Sequence, residues 1–487
     1  MLLLGLDVGN SGCKAGVYDD QGTRKARTYR EYSAAIIGET ATIDPMEVWD
    51  AVAACIREIP AKIRDQIGSL AVSSMSDSLI LLDQQDRVMG LAILSYDGRA
   101  GSQAGEFSRQ FGAADIFSQT GLSPHPMHMA SKCRWLLEHH PEKLEAAAYI
   151  LSFEDFLLRK LGSEPAVSFS TAARSMLFDV NEHRFIPALV RWAGLREGQL
   201  PKAFEGGTAV GQISKSAAQV TGLAENVTLV AGGFDQTCCA IAGGIFLPGQ
   251  LLDTTGTNEI LYFPLEPKKP ERLFDANMNV SHHFLQTQAA FAQVWQAGGA
   301  LKWIRGLLSA FSGTACSYET LLASLPNEPT GVFFLPFLAG SGTPDMQPRR
   351  RAALHHLSID TTGPMLVKAI LEGICYEMAY NMDMISGITG LIPRQVCAAG
   401  GATAAIAWMQ LKADISGQTF SVYKNLDPGT AGAAMFAGIG AGVFAGPQEG
   451  FGAISSHLQR RTYPPTTRQF NKYAPLREAY ARLRALT

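Results

Sequence analysis

Apolar residues gather in short blocks along the first half of the chain. Runs at 2–8, 13–18, 69–74, 79–83 and 227–232 have the length of buried strands, while Met46 to Arg57 and Ser131 to His139 read as helices. That rhythm predicts mixed α/β structure. Loops rich in Gly and Pro, such as Gly121 to Pro126 and Gly206-Gly207, separate the elements, and none has the composition of a flexible linker. Beyond Gly249 to Leu252 the pattern restarts. Hairpin strands are followed by a helix from Gly298 to Ser309 and a long helix from Pro364 to Ile385. A small-residue-rich segment runs from Ala398 to Phe444, and an amphipathic helix from Arg468 to Leu486. The restart predicts two domains, residues 1–252 and 253–487.

The restart also repeats a motif. Asp7-Val8-Gly9-Asn10-Ser11-Gly12 closes one apolar run, and Asp253-Thr254-Thr255-Gly256-Thr257-Asn258 closes another; each reads as strand, tight polar turn, strand. Such turns expose backbone N–H groups, glycine leaves room for close approach, and hydroxyls supplement the amides. Either turn alone reads as a plain hairpin. Together they suggest a duplicated α/β unit with a cleft between its halves, able to hold a polyphosphate from both sides.

Two further segments carry candidate chemistry. Asp235 and Gln236 follow the strand Val227 to Val230, so an acidic side chain sits just past a strand end, where clefts of α/β sheets open. There Asp235 is suited to take a proton from a hydroxyl, and Asp7 to orient a hydrated magnesium ion; each Asp is equally suited to cap a turn or a helix. Gly400-Gly401-Ala402 lies between the short strand Gln395 to Cys397 and a helix carrying Trp408, Leu411 and Ile415. The glycine pair either admits a flat base or allows tight packing. Gly440-Ala-Gly442-Val-Phe-Ala445 fits a dinucleotide fingerprint only on paper, because Thr430 to Phe444 lacks the preceding strand and turn; close helix packing explains these glycines better.

Composition narrows the classes. With 487 residues, 47% hydrophobic and 17% charged, the chain is expected to build substantial cores rather than remain disordered. A net charge of −3 with mixed signs gives no footprint for nucleic acid or an anionic membrane, so the expected partner is a small molecule. Met1-Leu-Leu-Leu has no basic n-region and Asp7 interrupts it, so a cytoplasmic location is expected. Eight scattered cysteines without a C-x-x-C pair read as reduced buried thiols. The histidine pairs at 139–140, 282–283 and 355–356, with His125 and His128, lack the H-E-x-x-H arrangement and read as solvated or capping residues.

Taken in order, these segments resemble the FGGY family of carbohydrate kinases, within the actin-like and sugar-kinase ATPase superfamily. Asp7-Val-Gly-Asn-Ser-Gly is similar to the family's first phosphate motif, Gly232-Gly-Phe-Asp235-Gln236 to its catalytic segment, Thr255-Gly256-Thr257 to its second phosphate motif and Gly400-Gly401-Ala402 to its adenosine motif. Lys132-Cys-Arg-Trp135-Leu, Phe334 to Gly340 with Thr343-Pro344, Leu371-Glu-Gly373 and Gly429-Thr-Ala-Gly432 also resemble family segments. The resemblance implies α/β structure of two RNase H-like (actin-like ATPase) domains around a cleft, with ATP and magnesium (Mg2+) as cofactors. It implies Asp235 as general base, Asp7 with Asp235 at the metal, and Gly9, Asn10, Ser11, Lys14, Thr255, Gly256 and Thr257 at the phosphates. Gly298, Gly400, Gly401 and Ala402 would border the nucleotide, and Asp77, Tyr96, Asp97, Arg99 and Gln236 the sugar.

Departures from the family pattern fall on the sugar side. Met75-Ser76-Asp77-Ser78 stands where xylulose kinases carry Gln-Met-His-Gly, and Ser95-Tyr96-Asp97-Gly98-Arg99 where they carry Trp-Asn-Asp-Gly-Arg. Asp77 is closer to the Arg-Glu of glycerol and autoinducer kinases, although Ser76 stands where they have the arginine. Ala405 replaces an Asn of glycerol kinases. The expectation is an ATP-dependent kinase of a small sugar, with a ketopentose such as D-xylulose leading and a polyol kinase (glycerol- or erythritol-like) or a catalytically weak sugar-sensing relative as alternatives. An actin-like filament or chaperone ATPase would not need Asp235 beside a hydroxyl pocket. The oligomeric state stays open, a homodimer being one option.

Overall fold

The computed structural model describes residues 1–266, 271–285 and 287–486. It divides into two compact units. The first comprises Met1–Phe246, Val280–Gln288 and Asn425–Leu458; the second comprises Leu247–Asn279, Ala289–Lys424 and Gln459–Thr487. The single boundary expected at 252/253 is therefore replaced by an interleaved path, because a late helix completes the first unit.

In the first unit, strands β1 (Leu2–Val8), β2 (Gly12–Asp19), β3 (Arg24–Glu31), β4 (Ile67–Ser74), β5 (Ala209–Gln212) and β6 (Thr228–Phe234) form one sheet in the order β5-β6-β4-β1-β2-β3. β1, β4 and β6 run parallel, while β1–β2, β2–β3 and β5–β6 are antiparallel. The Leu-rich run of β1 is continuous because both faces of this central strand are covered. Leu4, Leu6, Leu70 and Val72 join one core with Val48, Val52 and Ile56. The alternate residues Leu3 and Ala71 join another with Val230, Ala434 and Met435. β3 was not apparent in the hydrophobic pattern. It is an edge strand whose Arg24, Lys25, Arg27 and Arg30 discourage pairing with another chain.

The helix Pro45–Glu58 begins where Asp44 Oδ1 accepts the Met46 N–H at 2.8 Å, with proline in its first turn, and it packs on β2. The opposite face is covered by the helix Pro428–Gly440, which lies on β1, β4 and β6. A Cβ on Gly432 would come within 2.1 Å of the Cys238 carbonyl oxygen, and one on Gly440 within 2.5 Å of Val230 Cγ2. Close packing, not nucleotide binding, is what these small residues serve. Truncating fully buried Leu4 to alanine in such a core costs about 2–5 kcal/mol.

The second unit repeats the plan. Its strands β7 (Gln250–Thr255), β8 (Glu259–Leu265), β9 (Gln288–Val294), β10 (Gln395–Ala399), β11 (Phe420–Tyr423) and β12 (Arg460–Tyr463) lie in the order β9-β8-β7-β10-β11-β12. β7 is antiparallel to β8 and parallel to β10, β10 is parallel to β11, and β12 closes the edge antiparallel. A tight hairpin beside a parallel neighbour is the RNase H-like plan in both units. The long helix runs Gly363–Thr389 and is buried continuously from Val367 to Ala379. No helix among the described residues is long and apolar enough to cross a membrane.

Candidate active site

Three parallel strands of the first unit end together. Asp7 lies next to the end of β1, in register with Lys14 of β2 on one side and Ser73 of β4 on the other. The register explains the contacts: Lys14 Nζ donates to Asp7 Oδ2 at 3.2 Å and Ser73 Oγ donates to Oδ1 at 3.1 Å. Lys14 also lies 3.6 Å from the Asp427 carboxylate, which pairs with Arg27 Nε at 3.0 Å. Burial pushes the Asp7 carboxyl above its ordinary value, and Lys14 offsets this only in part. Gly429 is essential to this geometry, since a Cβ there would sit 2.3 Å from Asp7 Cγ.

The turn that follows has its carbonyls tied inward. Tyr32 Oη donates to the Gly9 oxygen at 2.7 Å and the Gly12 oxygen at 3.1 Å, and the Gly9 N–H donates to the Gly12 oxygen at 3.0 Å. Engaging these acceptors removes the dipoles that would repel an anion. Asn10 and Ser11 at the tip are exposed.

Asp235 opens the helix Asp235–Ala242 directly after β6. The approach to it is braced: Glu154 Oε1 accepts the Gly232 N–H at 3.0 Å, and Ser170 Oγ accepts the Phe234 N–H at 3.1 Å. Its Oδ1 is buried without a hydrogen-bond partner among the described residues. Burial, followed by the charge of Asp7, pushes the carboxyl up from 3.8 to about 7. A helix N-terminus would by itself favour the anion; here desolvation wins. Gln236 is buried beside it, its Oε1 likewise without a partner.

Of the residues assigned to the sugar by resemblance, Asp77 and Asp97 are committed to protein partners. Asp77 has a left-handed backbone, φ 60°, and its carboxylate accepts from Ser76 Oγ at 2.7 Å and from Arg174 Nε and Nη2 at 3.3 Å, with His128 Nδ1 at 2.8 Å. Burial alone would raise its carboxyl, but Arg174 and His128 hold it well below the usual range. Lys132 donates to the Asp77 carbonyl, and burial brings its ammonium down to about 8. Asp97 is gripped by Arg99 through two bonds of 2.8 and 2.7 Å and by the Ala41 N–H at 2.7 Å, while Arg99 lies over Trp135. Tyr96 is 44% exposed. Arg174, 5.4 Å over the Phe234 ring beside Asp235, escaped the sequence reading. A single arginine in a short helical turn, Ala173–Ser175, carries no periodic signal.

The second unit holds a pocket of about 1140 Å³ whose lining includes Thr255, Gly256, Thr257, Gly298, Gly401 and Ala402, which the sequence reading singled out from three separate segments. They meet at close quarters. A Cβ on Gly298 would fall 2.1 Å from the Gly256 oxygen, and one on Gly400, whose φ is 90°, would fall 2.4 Å from the Thr255 oxygen. Ala405, Ile406 and Trp408 continue the wall. The Thr255 side chain differs from expectation: it is buried, and its hydroxyl donates to Asp253 Oδ1 at 3.1 Å while accepting from Lys412 Nζ at 2.7 Å. Thr257 keeps the exposed hydroxyl of this turn.

The histidines are more structural than the sequence suggested. His282 and His283 are buried rather than solvated, His282 Nε2 lying 3.0 Å from Glu205 and His283 Nε2 3.0 Å from the Ile245 oxygen. No group of three or more His, Cys, Asp or Glu among the described residues could hold a metal ion, and all eight cysteines are free.

This architecture recurs in known proteins. Residues 2–242 match the N-terminal domain of the FGGY family of carbohydrate kinases and residues 266–441 its C-terminal domain. The chain is 27% identical to a xylulose kinase of Escherichia coli K12 over 99% of its own length and 98% of the relative's. It is also 27% identical to a glycerol kinase of Rhodospirillum rubrum, over the same shares. The crystal structure of a xylulose kinase from Brucella ovis superimposes with a TM-score of 0.90 at 24% identity, covering 100% of both chains. With both halves matched in order on one continuous chain, this protein belongs to the FGGY family of carbohydrate kinases and is a phosphotransferase.

Proposed function

We propose that this kinase transfers the γ-phosphoryl group of ATP to a hydroxyl of a small sugar, with a ketopentose such as D-xylulose as leading substrate. The observation that carries the reading is the buried Asp235 carboxyl, braced at a strand end, raised to about 7 and with one oxygen unpartnered. Such a group takes the hydroxyl proton as the new O–P bond forms and the bond from the γ-phosphorus to the bridging oxygen breaks, releasing ADP. Asp7 and Asp235 fit a magnesium ion in donor type, since Mg2+ is held by one or two carboxylates and substrate phosphates rather than by a protein cage. When bound, the ion neutralises phosphate charge. Gly9, Asn10, Ser11 and Lys14 act on phosphate in the first unit; the turn at Thr255 to Thr257, with Gly298 and Gly400 to Ala402, takes the nucleotide in the second. Gln236 and Tyr96 contact the sugar directly, and Asp77, Asp97 and Arg99 shape its pocket.

One observation favours a polyol as second reading. Glycerol and autoinducer kinases pair an arginine with an adjacent glutamate, and here Arg174 reaches Asp77 from a distant segment to give a guanidinium–carboxylate pair of the same chemistry. A coupled ADP-release screen across ketopentoses, aldonates, glycerol and erythritol decides between them. ADP release independent of every sugar and polyol would defeat both.

A further inference from the structure

We propose that Lys412 is a positioning residue for the nucleotide's phosphates, clamping both stems of the turn Gly256–Asn258; this rests on the reading that the second unit's pocket takes ATP. The turn leaves β7 at Thr255 and enters β8 at Glu259, and these two residues face each other in the ladder. Lys412, fully buried on the helix Ile406–Ser416, donates to Thr255 Oγ1 at 2.7 Å, to Glu259 Oε1 at 2.9 Å and to Asp253 Oδ2. Its three protons therefore meet three acceptors, two of them flanking the exposed turn.

The same helix supplies another part of the pocket lining. Ile406 and Trp408 line the pocket, so one ammonium joins the base-side wall to the phosphate-side turn. A buried ion cluster is a poor source of stability, since apolar residues of similar volume do as well; what it provides is direction. Thr255 is the relay. Its hydroxyl donates to Asp253 while accepting from Lys412, which fixes the side chain, and its carbonyl lies against Gly400 where no Cβ would fit. Burial raises the Glu259 carboxyl despite the pull of Lys412, and its Oε2 has no partner among the described residues, so the bond from Lys412 to Oε1 is what holds this side chain.

Lys412→Met alone would strand two buried acids. The test therefore uses Asp253→Asn/Glu259→Gln/Lys412→Met, which removes every charge and keeps the shape, and Thr255→Val, which removes only the relay hydroxyl. Calorimetric titration with ATP–magnesium and, separately, with adenosine is expected to show ATP affinity lowered by about tenfold in the triple variant and about threefold in Thr255→Val, as one to two lost polar contacts would give. Adenosine affinity should stay within about twofold, because the base-side wall carries no net change in shape. Unchanged ATP affinity in folded variants, or equal losses for ATP and adenosine, overturns the role of Lys412. Failure of the unaltered enzyme to bind either ligand overturns the nucleotide reading itself.

Discussion

If Asp235 is the base, it should also be a liability to the fold, and the two properties separate in one variant. Its carboxyl rises from 3.8 to about 7 because burial and the neighbouring Asp7 charge disfavour the anion. Between those values the unfolded chain is ionised while the folded site holds its proton. The stability associated with this group is therefore complete below pH 3.8 and is lost as pH rises, by about 1.4 kcal/mol per pH unit, levelling off above pH 7. The loss reaches about 4 kcal/mol at pH 8 and, since less of the window is crossed, about 2 kcal/mol at pH 5. Asp235→Asn should thus lower turnover by about 10²- to 10⁴-fold while raising stability, more at pH 8 than at pH 5. In the unaltered enzyme kcat/KM should rise about tenfold from pH 6 to pH 8, and the residual rate of the variant should lack that limb. Urea unfolding at both pH values and steady-state kinetics on the substrate from the screen supply the data. Near-normal turnover, or a variant less stable than its parent at pH 8, would refute the reasoning.

Asp7→Ala should shift the magnesium dependence of turnover to higher concentration while sugar KM changes little; a lost sugar affinity with an intact magnesium response would sink the assignment. Asp77→Asn removes the buried negative charge that Arg174 and His128 face, so it should lower stability by about 3–5 kcal/mol and blur discrimination among xylulose, ribulose, glycerol and erythritol. Unchanged ratios for every pair would place specificity elsewhere. Gly298→Ala pushes a methyl to 2.1 Å from the Gly256 oxygen and should raise the KM for ATP by at least about tenfold with sugar KM preserved, which initial-rate kinetics at varied ATP would check.

Local features of the site were legible because they are local. The two turns, the acidic residue after a buried strand and the glycine pair at a strand-to-helix junction each announce themselves within six residues. Long-range polar partners were not. Nothing in the short helical turns around Arg174 signals that it meets Asp77, and Lys412 sits on a helix where Trp408, Leu411 and Ile415 read as an apolar stripe although Asp414 and Ser416 are buried beside them. Thr255 shows the same limit, since a hydroxyl in a phosphate-like turn reads as a ligand until the buried lysine behind it is seen. The fold followed suit. Central strands such as β1 gave apolar runs, whereas the charged edge β3 and the Arg-rich β12 gave none, because a strand with one side in water need not be hydrophobic.

The interleaved path sets an order of completion during synthesis. The helix Pro428–Gly440 covers one face of the first sheet, yet it leaves the ribosome only after nearly all of the second unit. Until then Leu3, Ala71 and Val230 lack the cover of that helix, having only Cys238, Ile241 and Ala242 of the short helix after β6 beside them, and the nascent first unit carries a partly open apolar face while the second is being made. A gene fragment ending at residue 252 encodes that unfinished state rather than a domain. Joining Phe246 to Asn425 through a linker that carries Val280–Gln288, by contrast, would return every segment of the first unit to one contiguous polypeptide, and a soluble product from that fusion, with none from the same chain lacking Pro428–Gly440, would mark the late helix as the step that makes the first unit a folded body.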